Sequence, residues 1–190
     1  MKQLRHIAVA AGLALAASQA MAFGSIFVTE PGADGFNINT LGFNGSSYEV
    51  AKMTFDFTGT TTTDGSYMVI DGSPWNIVAP AGGTATFFGS GAVFGFDFTS
   101  FNTFDTFSFS WDPDSAINGS YGASSLDFVG GVVTALTTNG MTFKGTFTQV
   151  AGTPDVSAIL SPVPEAEAYA LALAGLGVVG LVARRRARQA

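Results

Sequence analysis

The feature that most constrains the fold is a two-residue alternation of aromatic and small polar side chains. Phe107, Phe109 and Trp111 alternate with threonine and serine, and the segments Phe94–Phe98 and Thr142–Thr148 show similar patterns. Successive side chains of a β-strand point to opposite faces of the sheet, so each run predicts a strand with one buried face. Helical periodicity is almost absent from this part of the chain, which we therefore expect to be all-β.

Turn signals and one irregularity refine this prediction. Asn139-Gly140 lies between two apolar runs and predicts a two-residue β-hairpin loop. Between Tyr48 and Phe57 the apolar positions change from even to odd numbers, which predicts a β-bulge near Ala51 and Lys52.

Short strands with glycine-rich turns are typical of two-layered β-proteins. We expect residues 23–152 to form an antiparallel β-sandwich or a jelly-roll-like domain, flanked by an N-terminal signal peptide helix and a C-terminal transmembrane helix. Residues 153–163 are expected to be a proline-containing linker. A solenoid is the alternative, because Phe-Asp-Phe-Thr occurs at 55–58 and again at 96–99.

The middle of the chain is strongly acidic. Between Phe23 and Val163, twelve carboxylates stand against Lys52 and Lys144, a formal charge of −10. Such a surface repels phosphate backbones, so no nucleic acid partner is expected.

Cysteine is absent, and the single histidine, His6, lies near the N-terminus. A domain without histidine or cysteine cannot use a Ser-His-Asp or Cys-His mechanism and lacks the usual zinc ligands. We expect no enzymatic activity. An extracellular glycosidase is the remaining enzymatic alternative, since it needs only a pair of carboxylates.

The N-terminal segment has the three parts of a signal peptide. Basic residues come first, residues 7–17 are apolar apart from Gly12, and Ala20 and Ala22 are small residues at the two specificity positions of a cleavage site. The pattern predicts a signal peptide at residues 1–22, with cleavage before Phe23.

A second apolar segment lies at the other end of the chain. Residues 168–183 carry no charge and are followed by Arg184, Arg185 and Arg186. As a helix this segment would be about 24 Å long, and snorkelling arginines would help it to span the membrane. By the positive-inside rule the arginines stay cytoplasmic, which places the acidic domain across the inner membrane. The signal peptide predicts the same topology.

The order Val163-Pro164-Glu165, a short gap, the apolar segment and the arginine cluster resembles the PEP-CTERM sorting tail of Gram-negative bacteria that secrete polysaccharide. In this resemblance the tail comprises residues 164–190. It implies that an exosortase, an integral-membrane cysteine protease, recognises Pro164 and Glu165 and removes the tail nearby. It also implies delivery to the cell envelope, the cell surface or the extracellular matrix. Ala166 stands where the family has a second proline.

Two carboxylates separated by one proline, Asp112 and Asp114, form a candidate metal site. Placed in a turn, their oxygen atoms would suit a hard cation such as Ca²⁺. The spacing is not that of an EF-hand, because Ala116 occupies the next ligand position. The alternative is a solvated acidic turn. No other cofactor is expected.

Trp75 and Trp111, together with Tyr67 and Tyr121, are candidates for stacking on sugar rings, because amphipathic rings suit a half-exposed site. The alternative is burial in the core. We therefore expect an exported, non-enzymatic surface or matrix protein, structural or associated with extracellular polysaccharide. The alternative is a carbohydrate- or calcium-binding surface module.

Overall fold

The computed structural model describes residues 24–29, 36–41, 48–102, 104–119 and 123–163, together with 174–176, 180 and 184. The predicted signal peptide, most of the predicted membrane segment and Tyr121 lie outside the described residues. In the part of the chain that the structure describes, no helix is long and apolar enough to cross a membrane.

The described chain is built almost entirely of antiparallel strands, so the all-β prediction is confirmed. A single-turn 3₁₀ helix at Ser125–Phe128 precedes β8. The strands are β1 Gly24–Thr29, β2 Phe36–Leu41, β3 Val50–Asp56, β4 Met68–Val78, β5 Thr84–Ser90, β6 Val93–Phe101, β7 Phe107–Ser115, β8 Val132–Thr137, β9 Thr142–Thr146, β10 Thr148–Gln149 and β11 Val156–Pro162.

The strands follow the order β4-β7-β2-β1-β11-β9-β8-β3-β6-β5, and β10 pairs with β11. The first part of β11 pairs with β1, whereas Ser161 and Pro162 pair with β9. This strand therefore connects the two halves of the sheet. The repeated Phe-Asp-Phe-Thr segments lie at β3 and β6, which are antiparallel neighbours and not successive turns of a solenoid.

The core is an aromatic layer between the two halves of the sheet. Phe55 of β3 contacts Phe109 of β7 at a centroid distance of 5.8 Å, and Phe94 of β6 contacts Trp111 of β7 at 4.7 Å. All four side chains are fully buried. The alternating positions of the sequence thus form facing surfaces, which supports the predicted sandwich.

The bulge predicted near Ala51 and Lys52 is confirmed. The register of β3 shifts between Val50 and Lys52 against both of its neighbours. The extra residue moves the apolar positions of the strand from even to odd numbers, so that Val50, Met53 and Phe55 are all buried.

The β8–β9 hairpin forms where Asn139-Gly140 predicted it, but its loop has three residues and not two. The Thr137 N–H donates to the Met141 carbonyl at 3.0 Å, and the Gly140 N–H donates to the Thr137 carbonyl at 3.0 Å. Gly140 has φ of +86°, the left-handed conformation that completes a type I turn with a bulge.

The predicted linker at residues 153–163 is wrong, because most of it is strand. Val156, Ala158 and Leu160 of β11 are buried in the core, and the strand pairs with β1 and β9. The folded domain therefore extends to Pro162 and does not end near residue 152.

The antiparallel registers place the starts and ends of the strands at two opposite ends of the domain. At one end β1 and β9 begin, and β8 and β11 finish. We call this the exit end, because the chain leaves the domain here at Val163, whose N–H donates to the Thr142 carbonyl at 2.9 Å.

Candidate functional site

Three carboxylates meet at the opposite end of the domain, on β4 and β7. Asp71 of β4 lies directly across from Asp112 of β7, and Asp114 follows two residues later on the same face. One carboxylate oxygen of each residue lies within 4.8 Å of the other two. We call this group the aspartate cluster.

The prediction that Asp112 and Asp114 lie in a turn is wrong, because both belong to β7. Pro113 between them does not interrupt the ladder to β4. The Pro113 carbonyl points away from β4 and accepts a hydrogen bond from the Ala123 N–H at 3.2 Å. The N–H and the carbonyl of one strand residue point to the same side, so the N–H that proline lacks would not have bonded to β4.

Burial differs within the cluster. Asp114 is buried, whereas Asp71 and Asp112 are exposed. Burial raises the pKa of Asp114, and the negative charges of Asp112 and Asp71 raise it further. Among the described residues the one ion pair joins Lys52 to Asp97 at 3.3 Å, so no described lysine or arginine neutralises the cluster.

A fourth carboxylate, Asp64, lies near this end in the β3–β4 connection. Hydrogen bonds from the hydroxyls of Ser115 and Thr62 lower its pKa, with the Thr62 bond measuring 2.6 Å. Asp64 therefore has hydroxyl partners that hold it ionised and is not one of the three clustered side chains.

The cluster can offer three oxygen ligands to a hard divalent cation, with further ligands from water or backbone carbonyls. Sequence reasoning found Asp112 and Asp114 but missed Asp71, since Asp71-Gly72 has the composition of a turn. Only the pairing of β4 with β7 brings Asp71 into the site. The one signal in the sequence that could have identified Asp71 is a strand pattern that continues across Gly72.

The two tryptophans differ in burial. Trp111 is fully buried in the aromatic core, so the prediction that its ring is exposed for stacking on a sugar is wrong. Its indole N–H has no hydrogen-bond partner among the described residues. Trp75 on β4 is 40% exposed and Tyr67 is 44% exposed, so both rings are accessible to a ligand.

Trp75 shares its strand pair with the aspartate cluster. It lies opposite Ser110 of β7, and the register shifts between Asp71 and Trp75, so that their partners on β7 are only two residues apart, about 7 Å at the rise of a strand. An exposed aromatic ring and a group of oxygen ligands thus lie along one strand.

The residues predicted to direct sorting lie mostly outside the described residues. This applies to Pro164, Glu165, Arg185 and Arg186, and to the signal cleavage residues Ala20 and Ala22. Arg184 is described and is exposed.

Comparison with known proteins identifies this tail. The model of a family described as the PEP-CTERM protein-sorting motif matches residues 162–186. Proteins with this motif are exported, processed by an exosortase and sorted to the cell envelope or surface. The match confirms the resemblance seen at Pro164, Glu165 and the arginines. No curated protein and no solved structure matches the chain.

Proposed function

Because the chain carries a PEP-CTERM sorting motif at residues 162–186, we propose that it is a non-enzymatic β-sandwich protein of the cell surface or extracellular matrix, released from its membrane tail by an exosortase. One observation carries the proposal. The last strand, β11, ends at Pro162, where the matched motif begins. Cleavage at Pro164 or Glu165 would remove the tail and leave every strand of the domain in place.

The non-enzymatic part of the proposal rests on chemistry. Residues 23–163 contain no histidine or cysteine, and the three clustered carboxylates lie close enough together that they could serve as ligands of a cation. The proposed role is structural or polysaccharide-associated, with the exposed ring of Trp75 as the stacking surface.

Intact mass spectrometry of the protein from native envelope and medium tests the sorting step. We expect a species that begins at Phe23 and ends at Pro164 or Glu165. Glu165→Gln should lower the processed fraction, while the matched variant Glu167→Gln should not. A mature species that retains the arginines would contradict exosortase processing and indicate a protein anchored by its tail.

Binding to exopolysaccharide from the same cells tests the polysaccharide association. Trp75→Ala should weaken sedimentation of the domain with the polymer by up to about tenfold, since a ring contact is worth about 0.5–1.5 kcal/mol beyond the area that it buries. Phe104→Ala is the matched control, because it removes an exposed ring that is not on β4, and it should leave sedimentation unchanged. No binding by the unmodified domain would favour a purely structural role.

The aspartate cluster favours a second candidate function, a calcium-binding surface module. A cation would offset the mutual repulsion that Asp71, Asp112 and Asp114 exert at short distance. In about 10 mM CaCl₂, a site with a Kd of about 0.1 mM would stabilise the fold by about 2.7 kcal/mol. That gain corresponds to a rise in Tm of roughly 5–10 °C.

Thermal unfolding with and without CaCl₂ tests this candidate. Asp71→Asn should abolish the rise in Tm, and Asp155→Asn, a carboxylate at the same end but outside the cluster, should preserve it. If CaCl₂ and NaCl of equal ionic strength give the same Tm, the cluster is a solvated acidic surface.

A further inference from the structure

The exit end also carries the most exposed aromatic side chain among the described residues. Phe104, in the loop between β6 and β7, is 74% exposed. Hydrogen bonds connect the last residues of β6, just before this loop, to the β8–β9 loop at the same end. The Ser100 N–H donates to Glu49 Oε1 at 2.9 Å, and the Thr138 N–H of the β8–β9 loop donates to the Glu49 carbonyl at 2.9 Å.

Hydrogen bonds link the described residues on either side of Phe104. The Asn102 N–H donates to Asp105 Oδ2 at 2.8 Å, the Asp105 N–H donates to the Asn102 carbonyl at 3.1 Å, and Asn102 Nδ2 donates to the Ser100 carbonyl at 2.9 Å. Both Ser100 and Phe104 have positive φ, at +53° and +69°. Such strained residues persist only where the surrounding structure determines them.

Charge is divided unevenly between the two ends. Lys52 and Lys144 each lie two residues from the start of their strand at the exit end. Of the ten described carboxylates, seven lie at or toward the opposite end: Asp56, Asp64, Asp71, Asp112, Asp114, Asp127 and Asp155. A membrane with anionic lipids repels the acidic end more strongly than the exit end.

Chain length restricts how far the exit end can move from the membrane. Five residue steps separate Val163, the last described residue of the domain, from Ala168 at the start of the predicted membrane segment. Fully extended, they reach about 18 Å. The nine-residue strands β6 and β7 are about 30 Å long. While the tail is inserted, the exit point therefore stays within about 18 Å of the bilayer, a distance shorter than the length of these strands.

We infer that the exit end docks on the bilayer surface before the tail is cleaved, with Phe104 inserted at the lipid interface. The inference rests on the proposed function, because it requires the tail to be in the membrane. Aromatic side chains favour the membrane interface, where the exposed ring of Phe104 would leave water. Docking would hold Pro164 and Glu165 at a constant height above the membrane, where an integral-membrane protease works.

Site-specific fluorescence measures the docking directly. The chain contains no cysteine, so Phe104→Cys and Ile117→Cys can each be labelled with bimane at one site. Ile117 is the matched control, because it is 73% exposed but lies at the opposite end. The signal-processed chain with its tail intact would be reconstituted into vesicles of phosphatidylethanolamine and phosphatidylglycerol that contain a nitroxide-labelled lipid.

We expect the nitroxide lipid to quench bimane at position 104 at least threefold more strongly than at position 117. Flotation of the protein with the vesicles reports separately on tail insertion. If the protein floats but the two positions are quenched equally, docking is overturned and tail insertion stands. If the protein does not float, both the membrane segment and the docking are overturned.

A processing assay separates lipid contact from protein contact. In native cells, Phe104→Ser should slow removal of the tail by about threefold, whereas Ile117→Ser should not. Slower processing without quenching at position 104 would mean that the loop contacts a protein, which overturns insertion into lipid. Because both side chains are exposed, neither substitution is expected to unfold the domain.

Discussion

Gly95 of β6 lies directly under the aromatic ring of Phe88 on β5. A methyl group added at this position would lie 2.0 Å from the Met53 carbonyl oxygen and 2.7 Å from Phe88 Cζ. The carbonyl belongs to the neighbouring strand β3 and cannot move without disturbing its ladder. The ring covers the glycine on the outer face of the sheet, so the small residue is required by packing and not by a turn.

Gly95→Ala is therefore expected to lower the free energy of unfolding by about 2–3 kcal/mol, as overpacking does. Urea unfolding of the isolated variant measures the change. Gly119→Ala is the control, because no described atom lies within 4 Å of its added methyl group, and it should change stability by less than about 0.5 kcal/mol. Equal midpoints for the two variants would contradict the packing described for Gly95.

Asp114 gives a pH-dependent prediction at the same scale. Its pKa in the folded state is raised above 3.8, so ionised Asp114 opposes folding. Without calcium, Asp114→Asn should be more stable than the unmodified domain above the folded pKa. The difference in stability between the two proteins should shrink as the pH falls through that pKa. It should disappear below 3.8, where the Asp114 carboxyl is protonated in both the folded and the unfolded chain. Thermal unfolding of both proteins across this pH range measures the difference. If the difference in Tm stays constant with pH, burial does not perturb the Asp114 carboxyl and the prediction is wrong.

At the scale of single elements, the β8–β9 hairpin shows how a loop satisfies its own backbone. The three-residue loop removes the ordinary partner of the Met141 N–H, and the Thr137 hydroxyl oxygen accepts it at 3.0 Å. Thr137 is buried, so water cannot replace that oxygen. The threonine side chain is thus part of the turn.

Thr137→Val is expected to destabilise the domain by about 1 kcal/mol, because it removes the acceptor of the partly buried Met141 N–H. Denaturant unfolding measures the loss, and Thr138→Val, on the exposed neighbour, should be close to neutral. If Thr137→Val and Thr138→Val have the same stability, the Thr137 hydroxyl does not stabilise the turn.

At the scale of the whole molecule, the dominant property is a large negative charge. Between Phe23 and Val163 twelve carboxylates repel one another in the compact state, and only two lysines offset them. Raising NaCl from about 0.01 M to about 1 M shortens the Debye length from about 30 Å to about 3 Å. We therefore expect the Tm to rise by about 5 °C near neutral pH, as a gain of 1–2 kcal/mol would produce.

The same salt series at a pH below the ordinary range of carboxyl groups is the control. Protonated carboxyls no longer repel, so the rise in Tm should be lost there. A rise of equal size at both pH values would mean that salt acts through surface hydration and that repulsion is unimportant.

The sequence by itself determined the features that depend on neighbours along the chain. The two-residue alternation predicted the strands that contain Phe94, Phe109 and Phe143, and the change of phase predicted the bulge between Val50 and Lys52. The sorting motif at residues 162–186 is likewise read from consecutive residues. These signals are local, because side-chain direction in a strand alternates regardless of which strand lies beside it.

The tertiary structure alone decided which strands are neighbours and which faces are covered. It placed Asp71 beside Asp112, buried Trp111 and made the proline-containing segment after residue 153 the strand that joins the two halves of the sheet. It also brought Phe104 to the end where the tail leaves. Each outcome depends on pairing between residues far apart in the chain, and the physical reason is that burial of the whole aromatic core selects that pairing.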